Sequence, residues 1–176
     1  AIEVEDMPKA YDKFFVETWV DSALRSFTSR NFKVVGESGH VYGYGKSVWA
    51  MIDLDTRHPA DILAVRGGLI TEYIETEYPC PIEKSSRVKL SVGATPIRSI
   101  DTYYNDVDIN GHINSVKYIE HVLDLWDVSW YKQHRIKRFE IAYVAESHQG
   151  DRLHFYREGR DSDTDFNVRI IKSNRD

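Results

Sequence analysis

Asp106-Val107-Asp108-Ile109-Asn110-Gly111-His112-Ile113-Asn114, continuing into Ser115-Val116-Lys117-Tyr118-Ile119-Glu120, is the densest group of proton-transfer and amide side chains in the chain. Asn110-Gly111 signals a turn, because both residue types tolerate positive φ. Beyond it Val116, Ile119, Val122, Leu123 and Trp126 recur every three or four residues, which predicts one apolar stripe on a helix of about four turns. Asn114 stands where an N-cap belongs. The polar cluster therefore falls in the turn that feeds a buried helix. Such a place offers free backbone N–H groups and the positive end of the helix dipole to a developing negative charge.

Asp106, Asp108, Asn110, Gly111 and Ile113 also match the first, third, fifth, sixth and eighth places of an EF-hand calcium loop. The twelfth place excludes it: a bidentate Glu is required there, and Lys117 would repel the metal. Upstream, residues 95–104 alternate like a strand and contain Pro96, so the entering helix of an EF-hand is missing. No metal site is expected. What remains is a plain turn and cap, or a site for acid–base chemistry.

The stretch from Asp106 to Glu120 resembles the D-x-D-x-N-x-H-x-N-N-V-x-Y-I signature of the acyl-acyl-carrier-protein thioesterases. The resemblance continues at Phe15-Val16-Glu17-Thr18-Trp19-Val20 and at Ser47-Val48-Trp49-Ala50-Met51-Ile52-Asp53-Leu54, which look like strands of that family's first domain. Phe139-Glu140-Ile141-Ala142-Tyr143-Val144-Ala145-Glu146-Ser147 looks like the strand that carries its remaining catalytic carboxylate. The resemblance implies an α+β double hot-dog fold, in which each half is a curved antiparallel sheet around a long central helix.

Composition sets outer bounds. With 176 residues, 41% hydrophobic and 29% charged, the chain reads as an ordinary soluble protein with room for a real core. A net charge of −5 argues against nucleic acid as the main partner, since phosphate-binding surfaces carry a basic excess. One cysteine, Cys80 between Pro79 and Pro81, excludes an intrachain disulfide and suits a reducing, cytoplasmic setting. The opening residues alternate charged and apolar, without the apolar core of a secretory signal, and no membrane association is expected.

Along the chain, Ile2 and Val4 suggest the end of a strand. Residues 13–21, 25–35 and 41–54 predict an antiparallel meander, with Gly43 and Gly45 suited to a bulge or bend. A short helix is expected within 69–78. The prolines and charges of 77–86 read as a connector, which gives a first domain over 1–85 and a second over 86–176. In the second, strands are expected at 87–92 and up to Tyr104, then the motif and helix, then strands at 136–146, 152–158 and 165–172 separated by turns at 149–151 and 159–161. If the fold is a double hot-dog, the first half lacks its leading strand and central helix, and the sequence is expected to be part of a longer protein.

Thioester hydrolysis needs an activated water and a group that stabilises the tetrahedral oxyanion. His112 can take a proton from water near neutral pH. Asn110 supplies an amide whose direction Asp108 can fix by accepting a hydrogen bond. The resemblance makes Glu146 the remaining carboxylate, on a strand beside the helix start, where partial burial would raise its pKa and suit it to base duty. Plant members of the family have a cysteine after this glutamate; here the position is Ser147. A thiolate route is thereby removed, and Cys80 has no neighbouring cation to activate it. Ser147 remains a second nucleophile candidate, without a G-x-S-x-G elbow. Direct attack by water is preferred, with Asn110 and a helix-start N–H near the thioester oxygen.

The resemblance implies hydrolysis of acyl-acyl-carrier protein in fatty acid biosynthesis, with no metal or organic cofactor. Alternatives are an acyl-CoA thioesterase of the single hot-dog type and a non-catalytic acyl-binding hot-dog domain. Acyl carrier protein is the expected partner. Because it is acidic, a local positive patch is needed, and Lys132, Arg135, Lys137 and Arg138 are the densest candidates. Acyl chain length and oligomeric state stay open, a homodimer included.

Overall fold

The computed structural model describes residues 1–83, 85, 88, 95–159 and 164–174. The chain runs through β1 (Ile2–Val4), β2 (Phe14–Leu24), β3 (Phe27–Gly36), β4 (Val41–Ala50), β5 (Arg98–Asp101), α1 (Ser115–Leu123), α2 (Val128–Tyr131), β6 (Arg138–Phe139), β7 (Arg152–Gly159) and β8 (Phe166–Ser173). Short 3₁₀ segments occupy Val65–Tyr73 and Tyr104–Asp106. The chain divides into two compact units, one formed by Ala1–Ser85 with Ile136–Ile141, the other by Ser86–Arg135 with Ala142–Asp176.

The first unit is a five-stranded antiparallel sheet in the order β2-β3-β4-β1-β6. Strong alternation in residues 14–50 builds the expected meander, but β4 stops at Ala50, earlier than its apolar pattern suggests. The carboxylate of Asp53 takes the N–H and hydroxyl of Thr56, both at 2.8 Å, and turns the chain there. Gly43 is required by close approach: a Cβ would lie 2.4 Å from the carbonyl oxygen of Glu3 on the neighbouring strand. The register also shifts between Val34 and Val35, so the bend expected around the glycines is a β-bulge between β3 and β4. Trp19, Val20, Val35 and Ile82 are buried, and Tyr78 meets Trp19 edge-on at 4.7 Å. Cys80 is half-buried, its sulfur 3.8 Å from the Gly45 carbonyl oxygen.

Asp21 is the polar centre of this sheet. It accepts from Lys46 Nζ at 2.7 Å and from Asn31 Nδ2 at 3.0 Å. Burial pushes its carboxyl up, but the hydrogen bonds, that from Lys46 foremost, outweigh it and hold the carboxyl below the ordinary aspartate value. A depressed folded-state value means the stabilisation is complete above the unfolded value and is lost as pH falls through the folded one. Asp21→Asn is expected to cost about 1 kcal/mol at neutral pH. Urea denaturation as a function of pH checks this: the difference between wild type and variant should shrink on acidification, and a pH-independent difference would contradict it.

In the second unit, β7 lies between β5 and β8 in an antiparallel sheet, and Leu153 and Phe155 of β7 are fully buried. The strands expected at 152–158 and 165–172 form, and β5 supplies the strand before Tyr104. The strand expected at 87–92 and the turn at 159–161 lie outside the described residues, apart from Val88 and Gly159.

Two expectations for the second half of the chain fail. The long helix ends at Leu123, because Asp127 caps a new helix, α2, through a 2.8 Å bond from the Trp130 N–H. Its buried side chains are Tyr118 and Val122, whereas Val116 is 54% exposed. Residues 136–146 do not form one strand: Arg138–Phe139, which belongs to the first unit, pairs there with β1, and 140–146 carry no strand. Their polar groups find other partners. Tyr143 donates its hydroxyl to the Ser115 carbonyl at 3.0 Å, and the Ser147 carbonyl that follows accepts from the Ile113 N–H at 2.8 Å.

Candidate active site

The site lies wholly within the second unit and is built on a loop closed at its base. Val107 and Ile113 pair as an antiparallel bridge, and within it the Asp108 N–H bonds to the His112 carbonyl at 2.8 Å. Gly111 has φ +82° and open space where a Cβ would sit, so glycine is needed for backbone angle alone. The Asp108 carboxylate accepts the backbone N–H groups of Asn110 at 2.8 Å and His112 at 3.2 Å through the same oxygen. It therefore folds the loop; it does not orient the Asn110 side chain, which is exposed. Asn114 caps α1, accepting from the Val116 N–H at 2.9 Å.

His112 and Glu146, 34 positions apart in sequence, meet here: Nε2 of His112 lies 3.4 Å from Oε2 of Glu146. Glu146 reaches this place on the irregular segment that leads to Ser147, not on a strand. Its side chain is 49% exposed and that of His112 30%, so the partial burial expected to tune Glu146 is slight. Lys172 Nζ donates to the Glu146 carbonyl at 2.7 Å and holds the segment against β8. The ring of His148 stands edge-on to His112 at 5.1 Å; nothing in the sequence singles it out beyond its position two residues after Glu146.

Ser147 is 4% exposed. Tyr118 is also buried; burial pushes its hydroxyl up, while the neighbouring Ser147 opposes the shift. Tyr143 is likewise raised, by burial first. Both phenols are neutral at physiological pH.

Most of the N–H groups around the helix start are engaged within the loop. Ile113 donates to Ser147, Asn114 to the Asp106 carbonyl, and Val116 and Lys117 to the side chain and carbonyl of Asn114. The exposed Asn110 amide is a donor open to an external oxygen. The four residues of the expected cationic patch differ in their surroundings. Lys132, Arg135 and Lys137 are exposed, but Arg138 is half-buried and committed, pairing with Glu3 and with Glu140 and donating to the Glu83 carbonyl at 2.9 Å. Lys132 and Arg135 belong to the second unit, Lys137 and Arg138 to the first.

The arrangement couples an imidazole, a carboxylate and an outward-facing amide at one loop. That combination can activate water and hold an oxyanion. Comparison with known proteins gives it a context. Residues 1–65 match the model of the acyl-ACP thioesterase N-terminal domain, and residues 91–175 that of the C-terminal domain. The structure is similar to that of an acyl-ACP thioesterase from Bacteroides thetaiotaomicron, with 48% identity and a TM-score of 0.89 over 99% of this chain and 69% of the other. Curated relatives include a chloroplastic palmitoyl-acyl carrier protein thioesterase of Gossypium hirsutum, 26% identical over 98% of this chain. A chloroplastic dodecanoyl-[acyl-carrier-protein] hydrolase of Cinnamomum camphora is 28% identical over 82%. The chain spans 43% and 39% of the lengths of these two relatives. Among the described residues no helix is long and apolar enough to cross a membrane. With both domain models matched in order and a solved thioesterase at 48% identity, this chain, whose fold is the hot-dog fold, belongs to the acyl-ACP thioesterase family.

Proposed function

We propose that the protein hydrolyses the thioester of acyl-acyl-carrier protein and releases a free fatty acid. The approach of His112 Nε2 to Glu146 Oε2, at 3.4 Å on a loop that also presents Asn110, carries this reading. In the proposed step, Glu146 and His112 accept a proton as a water oxygen attacks the thioester carbon. Asn110 donates to the oxyanion, and when the intermediate collapses the C–S bond breaks and the proton returns to the departing sulfur. Asp108 acts through the backbone by holding the loop. The same proposal places the enzyme in the cytoplasm, within fatty acid biosynthesis, and treats residues 1–85 and 86–176 as two hot-dog halves of which the second bears the chemistry. The test is release of fatty acid from a mixture of acyl-carrier thioesters by the full-length protein. Faster turnover of CoA thioesters would favour an acyl-CoA thioesterase, and binding without turnover an acyl-binding domain.

The carrier protein is acidic, and this chain has a net charge of −5, so docking requires a local cationic surface. Lys132, at the end of α2, and Arg135 are exposed cations of the second unit and support a docking role. Arg138 is left out because its charge is already paired. Lys132→Glu with Arg135→Glu is expected to raise KM for an acyl-carrier substrate about tenfold at low salt, less at high salt. Hydrolysis of a small acyl thioester should barely change. Equal losses on both substrates would indicate damage to the site, and no loss on either would put the carrier surface elsewhere.

A further inference from the structure

The chemistry just described uses Asp108, Asn110, His112 and Glu146 but leaves the first carboxylate of the same stretch without a task. Asp106 is 8% exposed, and its side chain is shared between two elements. Oδ2 accepts the Tyr103 N–H at 2.8 Å, and Oδ1 lies 3.1 Å from Nε2 of His121. Its own carbonyl accepts the Asn114 N–H at 2.7 Å. His121 projects from the second turn of α1, its ring 6.3 Å from that of the fully buried Phe155. The segment that follows β5, the helix and the loop base therefore converge on one aspartate.

The loop with Asp108, Asn110 and His112 leaves from residue 106 and returns to residue 114. Both ends are tied to Asp106, and Asp106 is tied to α1 through His121. Stability alone is a poor account of such a pair, since a buried carboxylate–imidazole contact gains little over a well-packed apolar replacement once desolvation is counted. Placement is a better one: a shift of about 1 Å in a reacting group can cost on the order of a hundredfold in rate.

We propose that Asp106 and His121 are positioning residues that set the seating of the loop on α1, and through it the approach of His112 to Glu146. The inference rests on the hydrolase reading of that site. Neither residue touches the reacting atoms; both act through the backbone.

The test uses His121→Ala, His121→Gln and Asp106→Asn in the full-length protein, with steady-state hydrolysis of an acyl-carrier thioester and NMR of the His112 ring. His121→Ala should lower kcat about tenfold to a hundredfold with KM within about twofold, and should move the His112 ring resonance. His121→Gln, whose amide can still donate to the carboxylate, should recover most of both effects. If Asp106→Asn fails to fold, His121→Ala, which leaves the Tyr103–Asp106 bond in place, decides alone. Activity that falls only with the folded fraction, with an unmoved His112 resonance, would make the pair a stability element and overturn the proposal. So would an unchanged kcat in folded His121→Ala. A wild-type protein without hydrolase activity whose His112 resonance still moves in the variants would refute the hydrolase reading and leave the positioning role standing.

Discussion

His112→Ala and Asn110→Ala are each expected to lower kcat for an acyl-carrier thioester by about a hundredfold or more, while the variants melt within a few degrees of wild type. The loop does not depend on either side chain. Asp108 accepts backbone N–H groups at 110 and 112, which alanine also supplies, and Gly111 makes the turn. The side-chain contact of His112 with Glu146 is half-open to solvent, and exposed ion pairs contribute about 1 kcal/mol or less. A large loss in kcat with the fold intact therefore isolates the chemistry of the two side chains. Asp108→Ala should behave differently, because it removes the acceptor of two N–H groups at once and lowers both melting temperature and rate. Thermal melts by circular dichroism beside steady-state kinetics separate the cases. Near-wild-type turnover in folded His112→Ala and Asn110→Ala would return both residues to a turn-forming role.

The sequence carried the fold wherever local pattern and tertiary environment agree. Alternation predicted β2, β3, β7 and β8 because each pairs along most of its length with an antiparallel neighbour. Asn114 was legible as a cap because the side chain that ends a turn and opens a helix acts on its own neighbours. Residues 140–146 were not legible, since Ile141, Tyr143 and Ala145 alternate like a strand while Tyr143 and Ser147 spend their hydrogen bonds on the helix start and the loop. The apolar stripe ran past Leu123 to Trp126 and gave no warning that Asp127 would begin another helix. The His112–Glu146 meeting was legible only through family resemblance, as no periodicity links positions 34 apart. The same holds more strongly for charges: the density of Lys and Arg over 132–138 gives no sign that Arg138 pairs with Glu3, 135 residues away. Asp106–His121 is hidden for a similar reason, since no local pattern links positions 15 apart.

Ser147 and Glu146, adjacent in sequence, decide between two mechanisms. A nucleophilic serine needs a base within hydrogen-bond reach and an open approach for the substrate carbon. Ser147 is 4% exposed, and its carbonyl is held by the Ile113 N–H at 2.8 Å. Nε2 of His112 faces the carboxylate of Glu146 instead. Ser147→Ala is accordingly expected to keep most of the activity, with at most about 1 kcal/mol lost in stability from the missing hydroxyl. Glu146→Gln preserves size and can still hydrogen-bond to His112, but it cannot accept a proton, so kcat should fall about a hundredfold or more. Rapid quenching during turnover, followed by mass spectrometry of the intact protein, gives the independent check: no acyl adduct should accumulate at any substrate concentration. An acyl group recovered on Ser147, together with an inactive but folded Ser147→Ala, would overturn direct attack by water and make Glu146 the partner that orients His112 toward the serine.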